Sequence, residues 1–81
     1  MSNPSSPDEK LVRMANQIAQ NMMSHPHDQA VAGVAEHLQA FWTPKMRRQI
    51  IDHASGGGAG LEALTREAVE RLAEKAKSPE S

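Results

Sequence analysis

The stretch that decides the fold is residues 28–54, DQAVAGVAEHLQAFWTPKMRRQIIDHA. Large apolar side chains recur in its first half at helical spacing, which predicts a helix from about Asp28 to Trp42. Thr43 and Pro44 then end that helix and begin another, because Thr is a favoured N-cap and Pro suits the first helical position. We expect this next helix to run from Pro44 to about Ala54. Ala32 and Gly33 are small enough for another helix to approach closely.

Two further helices are predicted on either side of this stretch. The first begins at Pro7, with Ser6 as N-cap and Glu9 completing a capping box, and it ends before Pro26. Its apolar stripe is Leu11, Ala15, Ile18 and Met22, widened by Val12, Ala19 and Met23. The other follows the glycine run 55–60, which we expect to be a helix stop and a flexible hinge. It carries Leu61, Leu64, Ala68 and Leu72 on one face, and Glu62–Arg66 and Glu67–Arg71 as pairs four residues apart.

The predicted fold class is therefore all-α, a small bundle of three to four helices with disordered termini. No strand-like alternation is present in the sequence. With 81 residues, of which 38% are hydrophobic, the chain suits one helical domain at 7–77 with a thin core. Residues 1–6 and 78–81 are expected to be disordered tails. A domain this lean usually recruits a second surface, from another copy or from a different subunit.

Composition excludes several classes of function. The net charge is −1 and Phe41 and Trp42 are the only aromatic residues, so nucleic acid is not an expected partner. No apolar run is long enough to span a membrane, and residues 1–7 do not resemble a secretory signal. The absence of cysteine removes disulfides, thiolate metal sites and cysteine-ligated iron–sulfur clusters. We expect a cytoplasmic protein.

The sequence predicts no metal, cofactor-binding or catalytic residue in this chain. Four histidines are present, but they lack the spacing of a helical zinc motif, and the usual thiolate ligands are missing. The glycine run is followed by Leu61 and Glu62, which places a carboxylate where a phosphate loop would hold its anion. No nucleophile and base stand at a recognisable spacing, so we do not expect a self-contained enzyme.

The segment 41–48, FWTPKMRR, is the best candidate for a functional surface. It contains both aromatic residues and three cations without an acid. Trp, Arg and Met are enriched at protein interfaces. The alternative is that the rings close the chain's own core while the cations face water. Adjacent helical positions point about 100° apart, so one apolar face rarely buries both rings.

The chain resembles the delta subunit of NAD-dependent, molybdenum-containing formate dehydrogenase. Three stretches carry the resemblance: LVRMANQIA at 11–19, HLQAFWTPKMR at 37–47, and GGAGL at 57–61 leading into Ala68 and Val69. Together with 30–33 they extend over roughly residues 10–72. Thr43 stands where the family usually has Asp before the proline, and either residue caps a helix.

The resemblance implies an accessory, non-catalytic subunit that docks on the catalytic subunit of a formate-oxidising complex and supports assembly or molybdenum-cofactor maturation. A molybdenum bis-pterin cofactor, iron–sulfur clusters, FMN and NAD would then belong to partner subunits. The predicted partner-binding residues are Phe41, Trp42, Pro44, Lys45, Met46, Arg47, Arg48 and Arg13. In a maturation role, the cations Lys45, Arg47, Arg48 and Arg13 would attract the pterin phosphate. The alternative is a small helical homo-oligomer without an enzyme partner, and a homodimer is a possible state of the isolated chain.

Overall fold

A computed structural model describes residues 7–77, which form four helices. These are α1 (Pro7–Asn21), α2 (His27–Phe41), α3 (Pro44–Ser55) and α4 (Ala63–Lys77). Within residues 7–77 there is no β-strand, and the prediction of an all-α bundle is confirmed. The expected tails and the Ser6 cap lie outside the described residues.

The corner between α2 and α3 forms as the Thr-Pro pair predicts. The Met46 amide donates to Thr43 Oγ1 at 3.1 Å, and Pro44 occupies the first turn of α3. Trp42 takes an extended backbone with φ −88° and ψ 145°, which ends α2 at Phe41. The cap saturates an amide that has no partner inside the helix.

The core lies where α4 faces the other three helices, and its most extensive contact is with α2. Its largest fully buried side chains are Leu38, Ile50, Leu72, Val31, Val34, Val69 and Thr65. Gly33 leaves space for the Met22 side chain, whose terminal carbon lies where any Cβ on Gly33 would be. Met22 lies in the turn after α1, so this contact is made by a side chain, and the expected close approach of another helix at Ala32 and Gly33 stays a prediction.

The glycine loop between α3 and α4 differs from the flexible hinge that the sequence predicts. Gly57, Gly58 and Gly60 have φ values of 123°, 66° and 85°, which glycine adopts without steric cost. Asn16 Nδ2 donates to Gly60 O at 2.9 Å, and Arg66 Nη2 donates to Gly57 O at 3.1 Å. The loop ends α3 as expected, but hydrogen bonds from side chains of α1 and α4 hold it in one conformation.

The fourth helix begins two residues later than its apolar pattern predicts. Leu61 is buried but lies before α4, and its amide donates to Gly58 O at 3.0 Å. The Glu62 amide donates to Asn16 Oδ1 at 3.1 Å. Leu61 and Glu62 therefore complete the loop instead of the first turn of α4.

None of the helices formed by residues 7–77 is both long enough and apolar enough to cross a membrane.

Candidate functional site

The two adjacent aromatic residues at the end of α2 have opposite environments. Phe41 is 73% exposed, whereas Trp42 is 6% exposed and belongs to the core cluster. The Phe41 ring lies beside His37, one turn earlier, with the ring centroids 4.7 Å apart and the planes tilted by 40°. Phe41 is therefore the aromatic side chain available for contact, and Trp42 offers little surface to a partner.

Arg47 is held within its own chain. Its Nη1 donates to Trp42 O at 2.5 Å and to Gln39 O at 3.2 Å. Carbonyl groups in the last turn of a helix have no partner inside the helix, and a guanidinium satisfies them well. Arg47 thus fixes the end of α2 and the corner that follows, and its guanidinium is engaged with these two carbonyl groups.

The remaining predicted residues of the 41–48 segment divide by exposure. Pro44, Lys45 and Arg48 are exposed on the first turns of α3. Met46 is half-buried and packs against the core cluster. The segment therefore presents an aromatic ring and two cations outward, supported by a buried Trp and a half-buried Met.

A groove between α1 and the last turns of α2 brings two predicted residues from distant parts of the chain together. We call it the α1–α2 groove. The residues that line it are Lys10, Arg13, Met14, Gln17, Ile18, His37 and Trp42. The volume is about 520 Å³. Arg13 and Trp42 were predicted, and the other lining residues were not.

One signal in the sequence could have indicated this groove. Positions 10, 13, 14, 17 and 18 follow the helical spacing of a second face on α1, beside the face that carries Leu11, Ala15 and Ala19 into the core. Ile18 was predicted to belong to the core stripe alone. Ile18 packs partly against the core and also lines the groove.

Two ion pairs join side chains of different helices. His27 Nε2 lies 2.5 Å from Glu67 Oε1, and His53 Nδ1 lies 3.4 Å from Asp8 Oδ2. His53 Nε2 also lies 2.8 Å from Ala59 O. Glu67 therefore contacts α2 instead of Arg71, its expected partner. Within residues 7–77 no three His, Asp or Glu side chains are placed to share a metal ion.

A family model described as NADH-dependent formate dehydrogenase delta subunit FdsD matches residues 10–69. The matched range includes the glycine loop, the 41–48 segment and all the residues of the α1–α2 groove. No curated protein and no solved structure matches the chain.

Proposed function

The chain belongs to the family of NADH-dependent formate dehydrogenase delta subunits, and from this premise we propose that it is a non-catalytic accessory subunit that docks on the catalytic subunit and supports assembly of the complex. The cytoplasm is the proposed setting. The observation that carries the docking proposal is Phe41, a large aromatic side chain that is 73% exposed at a rigid helix corner. Large aromatic side chains at interfaces contribute a disproportionate share of binding free energy.

The proposed docking surface is centred on Phe41 and extends over Pro44, Lys45 and Arg48 on α3. All four are exposed. Trp42, Met46 and Arg47 support it from beneath, and Arg13 extends it across the α1–α2 groove. In this arrangement the partner covers an apolar centre with cations around it, the usual composition of a protein interface.

The hydrogen bonds that Arg47 makes within the chain favour a role in assembly over direct handling of the molybdenum cofactor. Its guanidinium binds two backbone carbonyls, so one of the four cations proposed to attract a pterin phosphate is already engaged. The chain has no cysteine, and its donor set does not suit an iron–sulfur cluster. The bis-pterin, the clusters, FMN and NAD are therefore proposed for partner subunits, and this chain contributes surface instead of redox chemistry.

The test is co-purification of the full chain with the tagged large subunit. Phe41→Ala should weaken the complex roughly thirtyfold if the ring is an anchor worth about 2 kcal/mol. Met23→Ala is the matched control, because Met23 is also large, apolar and 65% exposed but lies in the turn after α1. Equal recovery of wild type and Phe41→Ala would remove the docking assignment.

Light scattering on the purified chain tests the alternative of a homo-oligomer. We expect the purified chain to be a monomer that joins the complex when the large subunit is present. A stable oligomer whose dissociation follows Phe41→Ala, together with no recovery on the large subunit, would assign the surface to a second copy of this chain.

A further inference from the structure

The exposed face of α1 forms one wall of the α1–α2 groove. Lys10, Arg13, Met14 and Gln17 stand at i, i+3, i+4 and i+7, so they lie along one side of the helix. With Ile18 they extend over eight residue steps, about 12 Å at the rise of an α-helix. The groove is therefore elongated along α1 by roughly two helical turns.

The groove combines an apolar floor with positive charge. Met14 and Ile18, both half-buried, supply apolar surface with the buried Trp42 behind them, while Lys10 and Arg13 are exposed cations in the first half of α1. Among the described residues that line it, none is an Asp or Glu. An occupant that fits this chemistry carries apolar side chains toward the floor and carboxylates toward the cations.

We infer that the α1–α2 groove receives an acidic amphipathic helix of the catalytic subunit, with apolar side chains at i, i+3 or i+4, and i+7, and with a carboxylate facing Lys10 and Arg13. This inference rests on the proposed function and adds the binding mode. Residues 7–77 form no sheet edge to which an extended peptide could add as a strand. An apolar groove of two turns between helices matches the helix-in-groove mode of recognition.

A second copy of this chain fits the groove less well than an acidic helix does. In a symmetric dimer the same patch meets itself, so Lys10 and Arg13 of both copies would enter one interface. The lining supplies no carboxylate to separate those like charges. Charge complementarity therefore favours a partner that carries negative charge where it faces Lys10 and Arg13.

Competition inside the assembled complex measures the contribution of Arg13. Wild-type and variant full chains, distinguishable by mass, are co-expressed with the tagged large subunit, and the ratio recovered is read by mass spectrometry. Arg13→Glu should be recovered at least about tenfold less than wild type. Arg71→Glu is the matched control, since Arg71 is an exposed cation on α4 and lines no part of the groove. Both changes place a glutamate four residues after an existing one, Glu9 or Glu67.

Zero-length carbodiimide cross-linking of the wild-type complex identifies the occupant. The reagent activates a carboxylate, and the Lys10 amine forms an amide with it only when the two groups are in contact. We expect Lys10 to join an Asp or Glu of a large-subunit helix whose neighbours at three and four residues are apolar. Changing that acid to Lys should restore recovery of Arg13→Glu.

The outcomes separate the binding mode from the proposed function. Failure to recover wild-type chain on the large subunit would overturn both. Recovery of wild type, Arg13→Glu and Arg71→Glu in equal amounts would overturn the groove and leave docking in place. A cross-link from Lys10 to a second copy of this chain, or to a strand or loop of the large subunit, would also overturn it.

Discussion

Replacing Asn16 with alanine should destabilise the domain by releasing the glycine loop from α1. The side chain makes two hydrogen bonds to that loop. Its Nδ2 donates to Gly60 O at 2.9 Å, and its Oδ1 accepts from the Glu62 amide at 3.1 Å. A hydrogen bond contributes about 0.5–1.5 kcal/mol net, which gives about 1–3 kcal/mol for the pair. Gly60 and Glu62 are exposed, so water replaces part of this interaction in the variant. We therefore expect a loss of about 1–2 kcal/mol.

The loss is measured by urea denaturation against Gln17→Ala. Gln17 is the exposed neighbour of Asn16 on the same helix, and alanine has the higher helix propensity in both changes. For a domain of this size the expected loss lowers Tm by about 4–16 °C. Asn16→Asp keeps the oxygen acceptor and removes the donor, so it should fall between alanine and wild type.

Amide hydrogen exchange locates the effect at one bond. The Glu62 amide should lose protection in Asn16→Ala and keep it in Gln17→Ala, because only Asn16 accepts from it. Equal stability of the two alanine variants, with unchanged protection at Glu62, would refute the assignment of Asn16 as the link between α1 and the loop.

Three further changes test the packing of the domain. Thr65→Val should raise the free energy of unfolding by about 1 kcal/mol, because Thr65 Oγ1 is buried and has no hydrogen-bond partner among residues 7–77; a lower urea midpoint would contradict this. Trp42→Ala should cost about 3–5 kcal/mol and Phe41→Ala less than about 0.5 kcal/mol, which calorimetry of the two variants distinguishes. Gly58→Ala should cost at least about 1 kcal/mol, since φ is 66° and a Cβ would meet the Arg66 guanidinium at 3.0 Å. Gly56→Ala, at φ −87° with ordinary contacts, is its control, and equal thermal midpoints would count against the strain argument.

Local signals made the helices predictable. Thr43 and Pro44 place a cap and a fixed φ at one point, and each acts within three residues of itself. The apolar period of α2 likewise reports one helix and one buried face. The start of α4 was predicted too early at Leu61, because its boundary depends on the hydrogen bond that the Glu62 amide donates to Asn16, 46 residues earlier in the chain. A pattern read along the chain carries no information about such a bond.

The candidate surface was predictable only in part for the same reason. The 41–48 segment showed which residue types gather near the corner, and the 100° turn between neighbours anticipated that the rings would separate. It did not show which ring points outward, since that depends on where the core lies. The groove needs α1 and α2 side by side, so the spacing along α1 could indicate a second face that includes Met14, but not that His37 lies opposite it.

The clamp that Arg47 places on the end of α2 has a consequence for the speed and cost of association. The Arg47 guanidinium binds the carbonyl groups of Gln39 and Trp42, which restricts the backbone at this corner. The backbone that carries Phe41 is therefore already ordered before a partner binds. Ordering a loop or a side chain at the moment of contact subtracts from affinity. A ring presented from a preorganised corner avoids most of that entropic penalty, which would favour the proposed docking on the catalytic subunit.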